Sequence, residues 1–270
     1  PEAKTYGYKY AAIDYDTTLE QYSRWLVGLK EPNVLVVDLY STMNEHLRKR
    51  RTAQVSFSLQ RDGIHPDPTG HWLMAQTLLT AWKAPNAAGG VQIDAGRGTV
   101  LAGQVTNLKK EGPGLFFEWQ SPLPMPMDPK WDAESIRIED VEEHLNEYRL
   151  AVKGLPPGRY RLVAGDEEFA TVGAVQLAAG VSLLDFERFP ANRAAARLLS
   201  LVHDRQRLLY AAWRRSVGKW TSTESDSLNR ASVEDLKQQV EELDQQIDLL
   251  RQPQPIRLRI ELIPAGSRPV

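Results

Sequence analysis

The first part of the chain alternates between helical and strand-like patterns of apolar positions. Residues 17–30 predict a helix whose apolar side chains recur at intervals of three and four, namely Leu19, Tyr22, Leu26 and Leu29. Glu31-Pro32-Asn33 ends that helix, and the continuous apolar run 34–37 then predicts a strand buried on both faces, as in a parallel sheet. A second amphipathic helix is predicted over 69–82. Helix, strand, loop and helix in this order are typical of α/β organisation.

The pattern changes to period two in the middle of the chain. Residues 98–120 alternate on both sides of a Glu-Gly-Pro-Gly turn, which predicts a β-hairpin. Residues 148–172 predict three more short strands, separated by Leu-Pro-Pro-Gly and Gly-Asp-Glu-Glu turns. Residues 190–219 predict a long helix, and the segment "PIRLRIELIP" predicts a closing strand that joins the same sheet. These patterns together predict a β module followed by helices.

A further helix, predicted over 232–251, carries a narrow apolar seam. Its apolar residues step by three and four in turn: Val233, Leu236, Val240, Leu243, Ile247 and Leu250. Ser232 and Asp235 match a capping box at its start. Such a seam pairs with one other helix. The partner is either the 190–219 helix, in an intramolecular hairpin, or a second copy of the chain, in a homodimer through 232–251. The hairpin is the simpler arrangement.

A short run of small residues separates the two patterns. The segment "PNAAGG" follows the 69–82 helix, and its composition is typical of a linker. We therefore predict three regions: an α/β part over 1–85, a β-rich module over 86–189, and a helical hairpin with its closing strand over 190–270. The change in hydrophobic period is the observation on which the first boundary depends.

Composition and charge narrow the classes of function. The formal net charge is −2, so no overall field attracts nucleic acid or an anionic membrane. The basic run Arg48, Lys49, Arg50 and Arg51 has no interleaved aromatic residues, which favours a solvated face over a nucleic-acid site. The chain has no cysteine, which excludes disulfides and a cysteine nucleophile. No apolar run approaches the roughly 18–20 residues of a membrane span. No histidine pair has metal-ligand spacing, so neither a metal nor a cofactor is predicted.

Polar and turn-forming residues are densest in the stretch "SLQRDGIHPDPTGHWLMAQTLL", residues 58–79. Asp62 and His65 stand three residues apart on a turn, so the carboxylate can hold the imidazole Nδ1–H. Nε2 is then free to take a proton. Gly63 allows the backbone to turn, and Pro66 restricts the backbone just after the turn. The spacing favours a base and its orienting carboxylate. They lie on a loop after a predicted strand, where open α/β sheets place their active-site groups.

Other polar residues are weaker candidates for chemistry. His71 falls on the first turn of the predicted helix, where capping or packing is expected, and Asp67 is expected to be structural with it. Ser56 and Ser58 lie in a strand-like run without the strained, glycine-flanked turn of a nucleophile. Polar neighbours predict surface positions for the remaining histidines, which are His46, His144 and His203.

The block "DGIHPDPTGHWLMAQTLL" resembles the last sequence block of the SGNH (GDSL-type) hydrolases, which carries a catalytic Asp and His just before the final helix. The preceding "VLVVDLYSTM" resembles the strand that leads to that block. Three later segments, "LPMPMDP", "LPPGRYRL" and "LAAGVSLL", resemble the accessory module of long bacterial members. The resemblance implies an α/β fold: the C-terminal part of a three-layer α/β/α domain, followed by a small antiparallel β module with a long helical hairpin.

The resemblance also implies roles for the loop residues. In that family a serine of a Gly-Asp-Ser motif attacks an ester carbonyl, which makes His65 the general base and Asp62 the group that orients it. The oxyanion hole comes from the serine N–H with a Gly and an Asn of two middle blocks. The chain contains no Gly-Asp-Ser and no Gly-x-Asn-Asp, which the family places upstream of the Asp-x-x-His block. We therefore expect the C-terminal part of a serine esterase or acylhydrolase, inactive without its nucleophile.

Two rival interpretations stay open. In the first, the α/β part is a relic and the chain is a non-catalytic scaffold that binds a glycan or a protein. The adjacent Phe116 and Phe117 point to opposite faces of a strand, so one of them is available to stack on carbohydrate. Core packing is the simpler expectation for the aromatic residues of the β module, which are Phe116, Phe117, Trp119, Trp131 and Tyr160. In the second, the chain is an inactive truncated product. The esterase interpretation expects an ester substrate, such as an acylated carbohydrate. It also expects a secreted or periplasmic location if an upstream part carries a signal peptide.

Overall fold

The computed structural model describes residues 12–85, 89–120, 122–218, 228 and 230–264. They form two compact units. Unit 1 combines Pro1–Pro85 with Asp128–Val141, and unit 2 combines Asn86–Met127 with Glu142–Val270. Each unit is therefore built from two separate segments of the chain. Residues 86–88 of the predicted linker lie outside the described part.

Unit 1 consists of helices joined by loops. Its helices in the described part are α1 (Ala12–Val27), α2 (Leu39–Arg51), α3 (Pro68–Ala81) and α4 (Ala133–Ile138). The carboxylate of Asp38 accepts a hydrogen bond from the Ser41 N–H at 2.9 Å and caps α2, and Asp67 caps α3 in the same way. Pro68 at the first position of α3 costs no hydrogen bond, because the N–H there has no helical partner. The helices predicted over 17–30 and 69–82 are confirmed, although α1 both starts and ends earlier than predicted.

The strand predicted over 34–37 is wrong. These residues lie in irregular backbone that leads into α2, and they pair with no described strand. Val34 is 55% exposed and Leu35 is 61% exposed. A strand buried on both faces needs neighbours for its backbone hydrogen bonds, and the described residues of unit 1 supply none. The apolar run therefore forms part of an exposed apolar surface.

Unit 2 contains two sheets and confirms the mixed α/β class. Its strands are β1 (Val91–Asp94), β2 (Thr99–Ala102), β3 (Val105–Glu111), β4 (Gly114–Trp119), β5 (Arg149–Lys153), β6 (Arg159–Ala164), β7 (Glu167–Gly173), β8 (Val181–Ser182) and β9 (Ile256–Leu262). The sheet orders are β2-β1-β5-β8 and β3-β4-β9-β6-β7. β1 and β5 pair in parallel, whereas the other described pairs are antiparallel. The module predicted to be antiparallel thus contains one parallel pair.

The larger sheet covers an aromatic core. The predicted hairpin is formed by β3 and β4, and β9 lies between β4 and β6, with Phe117 opposite Leu258. The rings of Trp119 and Tyr148 lie 4.9 Å apart, and the Phe189 ring lies 6.1 Å from both. Three of the aromatic residues considered for carbohydrate stacking are buried in this core: Phe117, Trp119 and Tyr160. Those three side chains are therefore not available to a glycan.

The helices that complete the described part of the chain are α5 (Val141–His144), α6 (Ala174–Ala179), α7 (Pro190–Val217) and α8 (Val233–Leu250). α7 and α8 pack together through an apolar cluster that includes Leu208 and Leu236, as the intramolecular alternative predicts. Arg205 and Asp244 join the two helices by an ion pair of 2.5 Å. A homodimer through 232–251 stays a prediction. Among the described helices, none combines the length and the apolar composition needed to cross a lipid bilayer.

Candidate active site

A closed loop of residues 60–66, called the dyad loop below, carries Asp62 and His65. The Asp67 N–H donates to the Leu59 carbonyl at 2.7 Å, which brings the two ends of the loop together. Gly63 has a φ of 79°, a conformation that glycine adopts without steric cost. Asp67 then caps α3 by accepting from the Gly70 N–H at 2.8 Å. The loop is thus short, closed at its base and joined directly to a helix.

Gly70 allows α3 to approach the base of the dyad loop closely. A Cβ at this position would lie 3.1 Å from the Leu59 carbonyl oxygen and 3.1 Å from the Cβ of Pro66. Leu59 is fully buried, so the backbone that meets Gly70 has little room to move. The glycine in "PTGHW" therefore has a packing reason, which is contact between the helix and both ends of the loop.

The structure brings Asp62 and His65 together. Asp62 Oδ2 lies 2.7 Å from His65 Nδ1, and Asp62 Oδ1 accepts from the N–H groups of Ile64 and His65 at 2.9 and 2.8 Å. An ionised carboxylate only accepts hydrogen bonds, so in the neutral ring Nδ1 carries the proton and Nε2 presents a lone pair. The His65 side chain is 80% exposed, so Nε2 faces open space. This arrangement suits a general base that is held in one tautomer.

Hydrogen bonds keep the Asp62 carboxyl ionised. The side chain of His65 lowers the pKa of Asp62 most, and the backbone N–H groups of His65 and Ile64 lower it further, to well below the usual range. Asp62 is therefore a permanent acceptor near neutral pH and holds the imidazole of His65 in a fixed orientation.

Titration of Asp62 tests this arrangement. Because its pKa is depressed, the carboxylate should stay ionised as the pH falls through the ordinary pKa of an aspartate side chain, about 3.9. The hydrogen bond should be lost only below that value. Replacing His65 with Ala removes the side chain that lowers the pKa of Asp62 most, so this pKa should rise toward its ordinary value. ¹³C NMR of the Asp62 carboxyl measures both values, and equal titration in parent and variant would contradict the pairing.

An open cavity of about 970 Å³ lies beside the dyad loop. Its lining includes Gln60 and Arg61 of the loop, Thr69 of α3, and Lys130 and Asp132 from the second segment of unit 1. Guanidinium, ammonium and hydroxyl groups of this kind donate hydrogen bonds to polar groups of a ligand. Asp62 and His65 do not line this cavity, so it is a candidate space only for a part of a substrate away from the reacting group.

Other residues weighed as candidates have structural roles. His71 Nδ1 lies 3.1 Å from the Asp67 carbonyl oxygen, and its position on the first turn of α3 is as predicted. Ser58 is not in a strand: its hydroxyl donates to the Gln60 carbonyl and accepts from the Gln60 N–H. Within the described residues, no serine hydroxyl bonds to His65. No cluster of three potential metal ligands occurs there either.

Two residues predicted to be solvated are buried. His46 is 1% exposed, with Nδ1 at 2.9 Å from Glu139 Oε1 and Nε2 at 2.8 Å from Ser135 Oγ. Arg50 is 4% exposed and binds Asp132. The predictions for both residues were wrong because their partners lie on the segment Asp128–Val141, far away in sequence. The residues next to His46 and Arg50 in the sequence give no sign of these distant partners.

The fold of this chain is similar to that of a solved enzyme. The structure of BT4096, described as a gut microbial diltiazem-metabolizing enzyme, matches it with a TM-score of 0.67 and 23% sequence identity. The likeness covers 83% of this chain and 61% of BT4096, so the chain spans less than two thirds of that enzyme. No family model and no curated protein matches the sequence. What the likeness shows is a fold shared with part of a larger enzyme.

Proposed function

We propose that this chain is the C-terminal part of an SGNH-type serine esterase or acylhydrolase. The observation that carries the proposal is the dyad: Asp62 holds Nδ1 of His65 at 2.7 Å and leaves Nε2 open to solvent. The dyad lies on a closed loop at the start of α3, as the resemblance to that family implies. The similarity of the fold to part of an enzyme supports the same proposal.

The proposed reaction is ester hydrolysis through an acyl-serine intermediate. The serine Oγ attacks the ester carbonyl carbon while His65 Nε2 takes the hydroxyl proton. The bond between the carbonyl carbon and the alcohol oxygen then breaks, and His65 returns the proton to the leaving alcohol. Water next attacks the acyl carbon and gives a proton to His65. The bond from that carbon to the serine Oγ then breaks, the acid leaves, and His65 returns the proton to Oγ. Asp62 orients the ring and stabilises its charged form in both steps.

The nucleophile in this proposal comes from an upstream part of a longer chain. Unit 1 exposes large apolar side chains on α1 and just after it, with Tyr22 and Trp25 each 62% exposed, besides Val34 and Leu35. Exposed apolar patches of this kind mark surfaces that another part of a protein covers. We propose that the upstream part covers them and supplies the Gly-Asp-Ser serine, the oxyanion-hole donors and the missing strands.

An activity-based fluorophosphonate probe tests the proposed function. The longer protein, expressed with the reading frame upstream of residue 1, should be labelled at one serine in a Gly-Asp-Ser motif. Residues 1–270 alone should not be labelled, because this segment contains no such motif. Mass spectrometry of tryptic peptides locates the modified residue.

Two outcomes would contradict the proposal. A longer protein that carries no upstream Gly-Asp-Ser and takes no label would favour the non-catalytic scaffold. Labelling of Ser56 or Ser58 in residues 1–270 would instead place the nucleophile inside this chain. A longer protein inactivated by heat is the control, because specific labelling requires the folded site.

A further inference from the structure

The segment Asp128–Val141 belongs to unit 1, although it lies in sequence between strands β4 and β5 of unit 2. In this segment Asp132 caps α4 by accepting from the N–H and the hydroxyl of Ser135 at 2.8 and 2.7 Å. His46 of α2 fixes the same segment through Ser135 and Glu139. The position of Asp132 relative to the rest of unit 1 is therefore well defined.

Asp132 contacts the chain just after the dyad loop. Its N–H donates to the hydroxyl of Thr69 at 2.9 Å. Thr69 is buried in the first turn of α3, two residues after Asp67, whose N–H closes the base of the loop. The adjacent Trp131 packs against Trp72 of α3, with ring centroids 5.7 Å apart. The C-terminal end of the loop is thus held by the backbone of the second segment.

Asp132 also reaches the chain just before the dyad loop, through a buried arginine. Arg50 donates from Nε and one terminal nitrogen to the two carboxylate oxygens at 2.9 and 3.2 Å. The same guanidinium lies 4.2 Å from the centre of the Phe57 ring, a favourable cation–π arrangement. Phe57 stands two residues before Leu59, whose carbonyl accepts from the Asp67 N–H at the base of the loop. Its carbonyl is held in addition by Arg51 Nε at 2.9 Å.

The charge of Asp132 is needed for this arrangement. Burial alone would raise the pKa of Asp132, but hydrogen bonds from Arg50 and Ser135 outweigh burial and lower it. The carboxylate is therefore ionised near neutral pH. Without that charge the buried guanidinium of Arg50 would lose the carboxylate that it hydrogen-bonds among the described residues, which is strongly unfavourable.

We propose that Asp132 is a positioning residue for the proposed hydrolase, holding both ends of the dyad loop through Thr69 and through Arg50 with Phe57. The inference rests on the proposed function for its catalytic meaning, whereas the positioning itself is a property of residues 1–270. The segment between β4 and β5 then works as part of the catalytic unit, not as a linker within the β module.

Hydrogen exchange of the dyad loop in residues 1–270 tests the positioning without any turnover. The N–H groups of Ile64 and His65 donate to Asp62, so their exchange rates report how well the loop is formed. In Asp132→Asn both rates should rise about tenfold or more, while the amides of unit 2 keep theirs. Glu134→Gln is the matched control, because Glu134 lies on the same helix, its ion pair is with Arg137, and it acts on Arg50 through its charge alone, without a hydrogen bond. Rates in Asp132→Asn equal to those of the parent, or an equal rise in the control, would overturn the inference.

Thr69→Val provides a second variant if Asp132→Asn does not fold. Valine keeps the shape of threonine and removes the oxygen that accepts from the Asp132 N–H. We expect faster exchange at Ile64 and His65 in this variant, by a smaller factor than in Asp132→Asn. Unchanged exchange in a folded Thr69→Val protein would overturn the role of the contact at the C-terminal end of the loop.

Kinetics of the longer enzyme separate positioning from a merely structural role. Displacing the base slows the chemical step more than it weakens substrate binding. Asp132→Asn should therefore lower kcat by up to about 100-fold, with a much smaller change in KM. If Asp132→Asn only reduced the amount of folded enzyme, the total rate would fall, but kcat per fluorophosphonate-labelled active site would equal that of the parent. That result would contradict a positioning role. A longer enzyme that shows no hydrolysis would refute the proposed function, whereas the exchange rates would still decide the positioning.

Discussion

Replacing His65 with Ala in the longer enzyme is expected to lower kcat/KM for an ester by about 10²- to 10⁴-fold, the usual contribution of a general base. The reason is the geometry of the dyad: with Nδ1 bonded to Asp62 at 2.7 Å, Nε2 is the ring atom that can take the serine proton. Little loss of stability should accompany the change, because the side chain is 80% exposed. Hydrolysis of a chromogenic ester and the rate of fluorophosphonate labelling measure the effect.

His71→Ala is the matched control for His65→Ala. Both histidines are exposed and lie six positions apart, but among the described residues the His71 ring bonds only to the carbonyl of Asp67, the residue that caps α3. The control should retain nearly full activity. If both variants lose activity equally, the loss reflects damage to the loop and α3. If His65→Ala keeps full activity, the assignment of the base is wrong.

The largest expected effect on stability is that of Trp119→Ala in unit 2. Trp119 is 1% exposed and lies against the rings of Tyr148 and Phe189 at 4.9 and 6.1 Å. Truncating a buried tryptophan loses its transfer free energy and leaves a cavity, which costs about 3–5 kcal/mol. Urea unfolding followed by circular dichroism of the strands should therefore show a lower midpoint for this variant.

Trp213→Ala is the control for the tryptophan substitution. Trp213 lies on α7 of the same unit and is 53% exposed, so its removal should cost much less free energy of unfolding. An equal loss in the two variants would mean that Trp119 is not part of a tightly packed core. A midpoint unchanged by Trp119→Ala would contradict the burial itself.

Local patterns in the sequence predicted the elements whose stabilising contacts are close along the chain. The hairpin of β3 and β4 follows from period-two alternation around a glycine turn, and its pairing partner is the next strand. The capping box of α8 follows from Ser232 and Asp235, which bond each other as expected. The dyad belongs to the same class, because three residues on a turn suffice to bring Asp62 to His65.

Predictions failed where the stabilising partner is distant in sequence. Arg50 was assigned to a solvated face because its neighbours are basic, yet it is buried against Asp132, 82 positions away. His46 and Glu139 are separated by 93 positions. The parallel pairing of β1 with β5 is a failure of the same kind. The run 34–37 failed for the opposite reason, because no described strand lies beside it to pair with. Strand pairing and burial depend on which segments meet, and periodicity carries no information about that.

The sequence by itself thus determined helices α1, α3, α7 and α8, the hairpin, the capping box of α8 and the orientation of His65 by Asp62, because each of these depends on interactions within a few residues. The tertiary structure alone decided that the segment Asp128–Val141 packs in unit 1 and that Asp132 holds both ends of the dyad loop. The physical reason is that a buried ion pair and its hydrogen bonds form only where packing brings distant segments together and excludes water.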